Sequence, residues 1–165
     1  MKFIITTSRK PPNKVRSFAK DIAFIFATKP LTRGKFSLKD LIKKLNNNDK
    51  LLIIDCIKGN PSRIRVIDKK GKASQILLKR IKLIREMKEK PKFKNNVPVV
   101  LNVNEFSEKF SKILDLKLVK SIEEAEPNCY VIKFVNEQNL FSLYLVDPEN
   151  KKTFGKFFTI RKIIE

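Results

Sequence analysis

The sequence predicts an α/β (α+β) fold in which helices pack on one or both faces of a mixed sheet. Three observations predict it. Apolar residues recur at helical spacing across 14–27, the run LLIIDCI at 51–57 is almost continuously apolar, and RIRVID at 63–68 alternates with the period of a strand. The same order of strand, helix and antiparallel strands returns after residue 97, which points to a duplicated architecture.

Each element has its own local signal. KFIITT at 2–7 reads as a strand, and Ser8-Arg9-Lys10-Pro11-Pro12 stops it, because neither proline has an N–H to donate. Asn13 is the expected N-cap of a helix over 14–27, with Val15, Phe18, Ile22, Ile25 and Phe26 on one stripe. A second helix is expected from Ser37, with Asp40 completing a capping box and Leu38, Leu41, Ile42 and Leu45 on one side. The Asn46-Asn47-Asn48-Asp49 run ends it. LLIIDCI has the pattern of a strand buried on both faces and is expected centrally in the sheet.

Gly59-Asn60-Pro61 turns into the next strand, whose period of two places Arg63 and Arg65 on one face and Ile64 and Val66 on the other. Lys70-Gly71 makes a hairpin turn into residues 73–84. Beyond a proline-punctuated stretch, strands are expected at 99–103, 129–135, 140–146 and 156–163, with a helix over 105–114 turning Phe106, Phe110 and Ile113 inward. At 165 residues the chain has the length of a single domain, enough to bury roughly two thirds of its unfolded surface. The organisation expected over 1–165 is a basic half at about 1–87, a linker at about 88–97 and a neutral half at about 98–165.

Charge divides the chain in the same way. Residues 1–94 hold 27 Lys and Arg against 7 Asp and Glu, whereas 95–165 hold 10 against 10, so the first part carries the whole formal net charge of +20. Like charges crowded on one region weaken the compact state, and a polyanionic partner would offset that cost. The charges cluster at identifiable places. Arg9, Lys10, Lys14 and Arg16 crowd a helix N-terminus, where cations are disfavoured by roughly 0.3–1 kcal/mol each. Their placement makes sense if free N–H groups and cationic side chains together hold a phosphate; a loop whose charges point into water is the alternative. Arg33, Lys35 and Lys39 around Gly34 repeat the arrangement before the second helix. Arg63 and Arg65 could track a phosphate backbone along their strand face, and the lysine-rich run at 79–94 is a further group. For these later groups a merely solvated basic face reads equally well.

Enzymatic readings find little support. The chain has no histidine, which removes the commonest general base and most metal-ligand sets. It also lacks a Walker loop, a GxGxxG turn and a CxxC pair. A two-metal nuclease needs carboxylates converging on two ions, but Asp21, Asp40 and Asp55 read as helix surface, capping box and sheet. Cys56 and Cys129 sit in apolar runs and read as buried, reduced thiols. No cofactor or metal is implied, no stretch has the length of a membrane span, and a cytoplasmic location follows by default. Two tyrosines and no tryptophan make stacking platforms scarce, although there are 13 phenylalanines. Charge alone leaves DNA, RNA or an anionic membrane open as the polyanion; were it RNA, it would be held by phosphates and A-form shape.

Ile5-Thr6-Thr7-Ser8-Arg9-Lys10-Pro11, a following helix with Arg16 and Phe18, Arg33-Gly34-Lys35 ahead of a Leu-rich helix, and Gly59-Asn60-Pro61 leading into a strand together resemble the archaeal Brix domain proteins. Near the C-terminus Gly155, Phe158, Ile160 and Arg161 resemble that family's Gly-Pro-Arg-Phe-x-Leu-Arg strand, with Lys156 and Phe157 replacing its proline and arginine. The resemblance implies a single Brix-type domain of two similar halves, each like the anticodon-binding domain of class IIa aminoacyl-tRNA synthetases. It also implies a non-catalytic factor in ribosome biogenesis that binds precursor ribosomal RNA and assists its processing or assembly. The candidate RNA-binding residues are Ser8, Arg9, Lys10, Lys14, Arg16, Arg33, Lys35, Lys39, Arg63 and Arg65. Ribosomal or assembly proteins are the candidate partners of the C-terminal half, with a purely structural completion of the domain as the alternative. A ribosomal or tRNA-binding protein, and an assembly adaptor with an acidic partner, follow from the same charge logic.

Overall fold

A left-handed backbone at Lys10 (φ 52°) and the two prolines after it turn the chain from strand β1 (Phe3–Thr7) into helix α1 (Asn13–Ile25). The cap is not the expected Asn13. Pro12 takes that place in extended conformation, and its carbonyl accepts from the N–H groups of Val15 and Arg16, both at 3.1 Å. Proline suits the position because its fixed φ matches an extended cap and no N–H is needed there, which puts Asn13 in the first turn. Helix α2 (Leu38–Lys43) starts as its sequence dictates: Ser37 Oγ accepts from Asp40 N at 3.1 Å, and Asp40 Oδ2 accepts from Ser37 N at 2.9 Å. The Ser37 N–H bond to the carboxylate, helped by the Ser37 hydroxyl, holds the Asp40 carboxyl below the ordinary aspartate range.

Strands β2 (Lys50–Ile57), β3 (Asn60–Ile67) and β4 (Ala73–Ile81) complete the first half. After a 3-10 turn at Ile84–Glu86 follow β5 (Val99–Leu101), helix α3 (Glu105–Leu114), the two-residue strand β6 (Leu118–Val119) and a second 3-10 turn at Ile122–Glu124. Strands β7 (Val131–Glu137), β8 (Leu140–Val146) and β9 (Thr153–Ile164) close the chain. The computed structural model describes all residues 1–165. Its nine strands form one sheet in the order β1-β2-β3-β4-β9-β8-β7-β5-β6.

The pairing sequence is the same in both halves. Strand β1 runs parallel to β2, and β2, β3 and β4 then alternate; β5 runs parallel to β7, and β7, β8 and β9 alternate in turn. Even the outer edges correspond, because Pro30 bridges Ile5 in parallel where β6 pairs with β5. Antiparallel pairing of β4 with β9 joins the halves. A core cluster of 32 buried residues runs across that seam, drawing Val15, Phe18 and Ile22 from α1 and Phe110 and Leu114 from α3. Phe18 meets Phe158 of β9 edge-on, with ring centroids 5.6 Å apart.

Strand β2 is buried on both faces as expected, but it lies second from the edge rather than at the centre. Its burial comes from a helix on either side. Leu52 and Ile54 face the core that contains α1, while Leu51 and Ile53 meet Leu41 and Leu45 from α2 and its C-terminal end. The connection between halves is tied down at several points. Ile84 N donates to Asp21 Oδ2 at 2.9 Å, Phe93 meets Phe24 at 5.8 Å, and the Tyr130 hydroxyl donates to Lys92 O at 2.7 Å. Lys94, placed by its sequence in a basic run, is half-buried and engaged: it donates to Asp147 Oδ1 at 2.9 Å and to Pro127 O at 2.6 Å.

Two positions carry testable consequences for stability. Gly155 has φ 128°, and a Cβ there would lie 3.1 Å from the Leu143 carbonyl oxygen and 3.2 Å from the Phe157 and Tyr144 rings. Gly155→Ala is predicted to cost about 1–3 kcal/mol through strain and overpacking, seen as a lower denaturant midpoint. Asp49 is buried and accepts from Lys2 N at 2.8 Å and Asn46 N at 2.9 Å. Burial alone would raise its pKa, but those two donors and the N-terminal ammonium outweigh it and hold it below the ordinary value. The resulting stabilisation is present above the unfolded pKa, about 3.9, and disappears as pH falls through the lower folded value. Asp49→Ala should destabilise by about 1–3 kcal/mol near neutral pH and remove this part of the acid sensitivity, as measured by urea unfolding across pH.

Candidate polyanion-binding site

Edge pairing brings two basic segments together. Leu31 N donates to Ile5 O at 2.7 Å, and Thr6 Oγ1 donates to Leu31 O at 2.7 Å, so the chain after α1 lies along the outer edge of β1. This sets Thr32–Lys35 against the loop that follows the same strand. Arg33 fixes the junction by donating from Nε to Phe36 O at 2.8 Å and from Nη1 to Thr7 O at 3.3 Å. Gly34, at φ 52°, supplies the left-handed residue the turn requires.

Between these segments and the exposed side of α1 lies a cavity of about 710 Å³. Arg9, Lys10, Arg16, Lys20, Arg33 and Lys35 line it, and no carboxylate does. Burial, then the Arg9 and Arg65 cations, push the Arg33 pKa down from its ordinary value, against an opposing pull from Asp55. Six cations around one concavity therefore repel one another. An anion inside would relieve the repulsion and accept the guanidinium and ammonium protons in charge-assisted hydrogen bonds.

The ten sequence candidates do not all meet here. Arg9, Lys10 and Arg16 share the cavity with Arg33 and Lys35, so these members of the first two basic groups line one concavity rather than two separate helix entrances. Lys14 lies outside it and donates to Asn60 Oδ1 at 2.8 Å. Ser8 binds through its backbone N–H to Ile54 O at 3.0 Å, and Lys39 stands exposed on α2. Arg63 and Arg65 share the β3 face as expected, but both pair with Asp55, at 2.7 and 2.8 Å from Nε to Oδ2. Arg65 adds a second bond from Nη2 to Oδ1 at 3.0 Å, and Arg63 Nη1 reaches Gln75 Oε1 at 3.2 Å.

Two features of this region are absent from the sequence expectations: Lys20 as a lining residue and Asp55 as the partner of the β3 arginines. Lys20 follows Arg16 by one helical turn, a spacing that puts both on one face and was available in the sequence. Asp55 faces Arg63 directly across the β2–β3 pair, a neighbour that only the hairpin register reveals. The other early acids are engaged separately: Asp21 with Ile84 N, Asp40 with Ser37 N and Asp49 with Lys2 N and Asn46 N. Cys129 is buried, and burial first of all pushes its thiol pKa up; Cys56 is half-buried, and both thiols are free. No helix is long and apolar enough to cross a membrane.

Comparison with known proteins gives the chain relatives along its whole length. It is 34% identical over 162 residues to a "probable Brix domain-containing ribosomal biogenesis protein" of Methanococcus maripaludis, covering 96% of both chains. Its fold matches that of Mil, an archaeal Imp4-like protein, with a TM-score of 0.75 at 23% identity over the full length of both chains. It also matches a probable ribosomal biogenesis protein from Aeropyrum pernix, with a TM-score of 0.78 at 20% identity over 99% of each. No protein-family profile matches.

Asp55 partly neutralises the arginine face of β3, so Asp55→Asn is predicted to strengthen retention on heparin. Elution should move to higher salt, and the salt dependence of affinity should steepen by about 0.7–0.9 for each arginine released to a phosphate-like partner. Unchanged elution would mean that the two arginines do not face the bound polyanion.

Proposed function

The chain belongs to the Brix domain-containing ribosomal biogenesis proteins, and we propose that it is a non-catalytic factor that binds precursor ribosomal RNA and assists its processing or assembly. The observation that carries this reading is the cavity lined by six cations and no carboxylate. Its chemistry suits phosphates, which Arg and Lys bind through charge-assisted contacts that need no particular base.

Arg9, Lys10, Arg16, Arg33 and Lys35 make the primary contacts. Ser8 and Lys14 flank them, and Lys39, Arg63 and Arg65 meet the RNA farther along its backbone. The repeated pairing order of the two halves supports the likeness to a pair of anticodon-binding domains of the class IIa synthetase type. The neutral half, at about 98–165, completes the sheet and offers its outer surface to ribosomal or assembly proteins, and the protein works in the cytoplasm beside the assembling particles. The stretch at about 88–97 links the two halves.

Arg9→Ala combined with Lys10→Ala removes two cavity cations at exposed positions. Binding of a precursor rRNA fragment, followed by filter retention over a salt series, should weaken at least about tenfold at moderate salt, and the salt slope should fall by about two. Unaltered binding would reject the cavity as the contact. In cell extracts, co-sedimentation with precursor particles and not with mature subunits is expected. Association that survives nuclease treatment would favour an adaptor with an acidic protein partner.

A further inference from the structure

The cavity has features that contact with a phosphate backbone leaves unused. Its volume of about 710 Å³ is that of a site enclosing a small molecule, roughly 300–1,000 Å³. An RNA duplex carries its phosphates on the outside of a convex rod, which meets the lining cations without filling such a concavity. The walls are also not purely cationic. Pro11, Ala19, Pro30 and Leu31 give them apolar surface, which has no use for a phosphate but suits the face of an unstacked base.

The enclosure is held from several directions. Pro30 and Leu31 are tied to β1 through the Ile5 and Thr6 bonds, and Arg33 is clamped between the carbonyls of Thr7 and Phe36. A bound group would meet walls already in place, which lowers the cost of ordering them. The side chains able to hydrogen-bond a base edge include the hydroxyls of Thr7 and Thr32, and no carboxylate is among them, so discrimination among bases would be weak. The matching entrance in the second half carries Asn104 as its cap and Glu105 and Glu108 in its first turn. The cationic character is therefore not repeated at that entrance.

We propose that the cavity between the 8–12 loop, α1 and the 30–35 segment seats one unpaired nucleotide of an RNA strand, with its base against the apolar walls and its flanking phosphates on the surrounding cations. This rests on the RNA-binding reading above and narrows it: the protein prefers RNA with a single-stranded junction over continuous duplex. A free nucleotide has the same chemistry, but the strand is the better occupant. Arg65, whose charge acts on Arg33, extends the positive field beyond the cavity for neighbouring phosphates, tempered by its pairing with Asp55.

The test uses the full-length protein and two fluorescently labelled RNA hairpins with the same stem, one blunt and one carrying a short single-stranded tail with 2-aminopurine at a single position. The tailed hairpin should bind roughly tenfold or more tightly, and 2-aminopurine emission should change on binding. Equal affinity with unchanged emission overturns the proposal while leaving RNA binding intact; failure of both hairpins to bind overturns the broader reading as well. Displacement of the tailed hairpin by micromolar AMP would make a free nucleotide the occupant and overturn the strand assignment. Ala19→Leu should abolish the preference for the tail, bringing the two hairpins to equal affinity. Because Ala19 is buried, Thr32→Leu at an exposed rim position provides a second filling variant, and a preference unchanged in both overturns the proposal.

Discussion

The antiparallel pairing of β4 with β9 is the contact on which the rest of the molecule depends. Each half alone would be a small sheet with a helix on it and an exposed edge, and small units bury too little surface to be robust. Joined at β4–β9, the halves share one sheet and one core of 32 buried residues. The seam is irregular, with register shifts around Leu77, Leu78 and Arg80. Thr159 compensates at one of them by accepting the Arg80 N–H with its hydroxyl at 3.0 Å. A buried donor left unpaired there would cost about 1–3 kcal/mol.

That shared frame lets the two halves carry different surfaces. The repeated pairing order sets where helix entrances and edge segments fall, and the side chains at those places decide what they hold. In the first half the entrance carries Arg9, Lys10 and Arg16; in the second, Glu105 and Glu108 occupy the first turn of α3. Acids there agree with the helix dipole, whereas the cations of the first half oppose it. The first half is thus the one whose local electrostatics are unfavourable without a ligand, and the common core tolerates that cost.

Most of the secondary structure was legible because it rests on short-range rules. The Ser37 capping box, the α3 boundaries at 105–114 and the strand at 140–146 appear where periodicity and capping placed them. Asn13 misled because its usual preference for a cap lost to the proline before it. Strand β6 escaped notice because two residues have no periodicity, and β2 was placed centrally because a continuous apolar run reports burial on both faces but not its cause. The Brix resemblance read from the Thr-Ser-Arg-Lys-Pro segment agrees with the relatives found along the whole chain. The cavity was only half legible. Its residues could be named, but that Arg33 and Lys35 meet Arg9 and Arg16 is decided by the edge pairing of Leu31 with Ile5. That backbone contact leaves no mark in the pattern of side chains.

The segment at Pro30–Leu31 has a role unrelated to charge. An open sheet offers strand edges onto which another chain can add, and natural proteins block such edges with short strands, prolines or covering loops. Here Pro30, which has no N–H to donate, lies along β1, and the far edge is the two-residue β6. Damage to the 30–35 segment would therefore uncover a buried, apolar strand as well as dismantle the cavity. Self-association through that bared edge would then compete with any loss of ligand, so solubility and recognition in this chain depend on the same few residues.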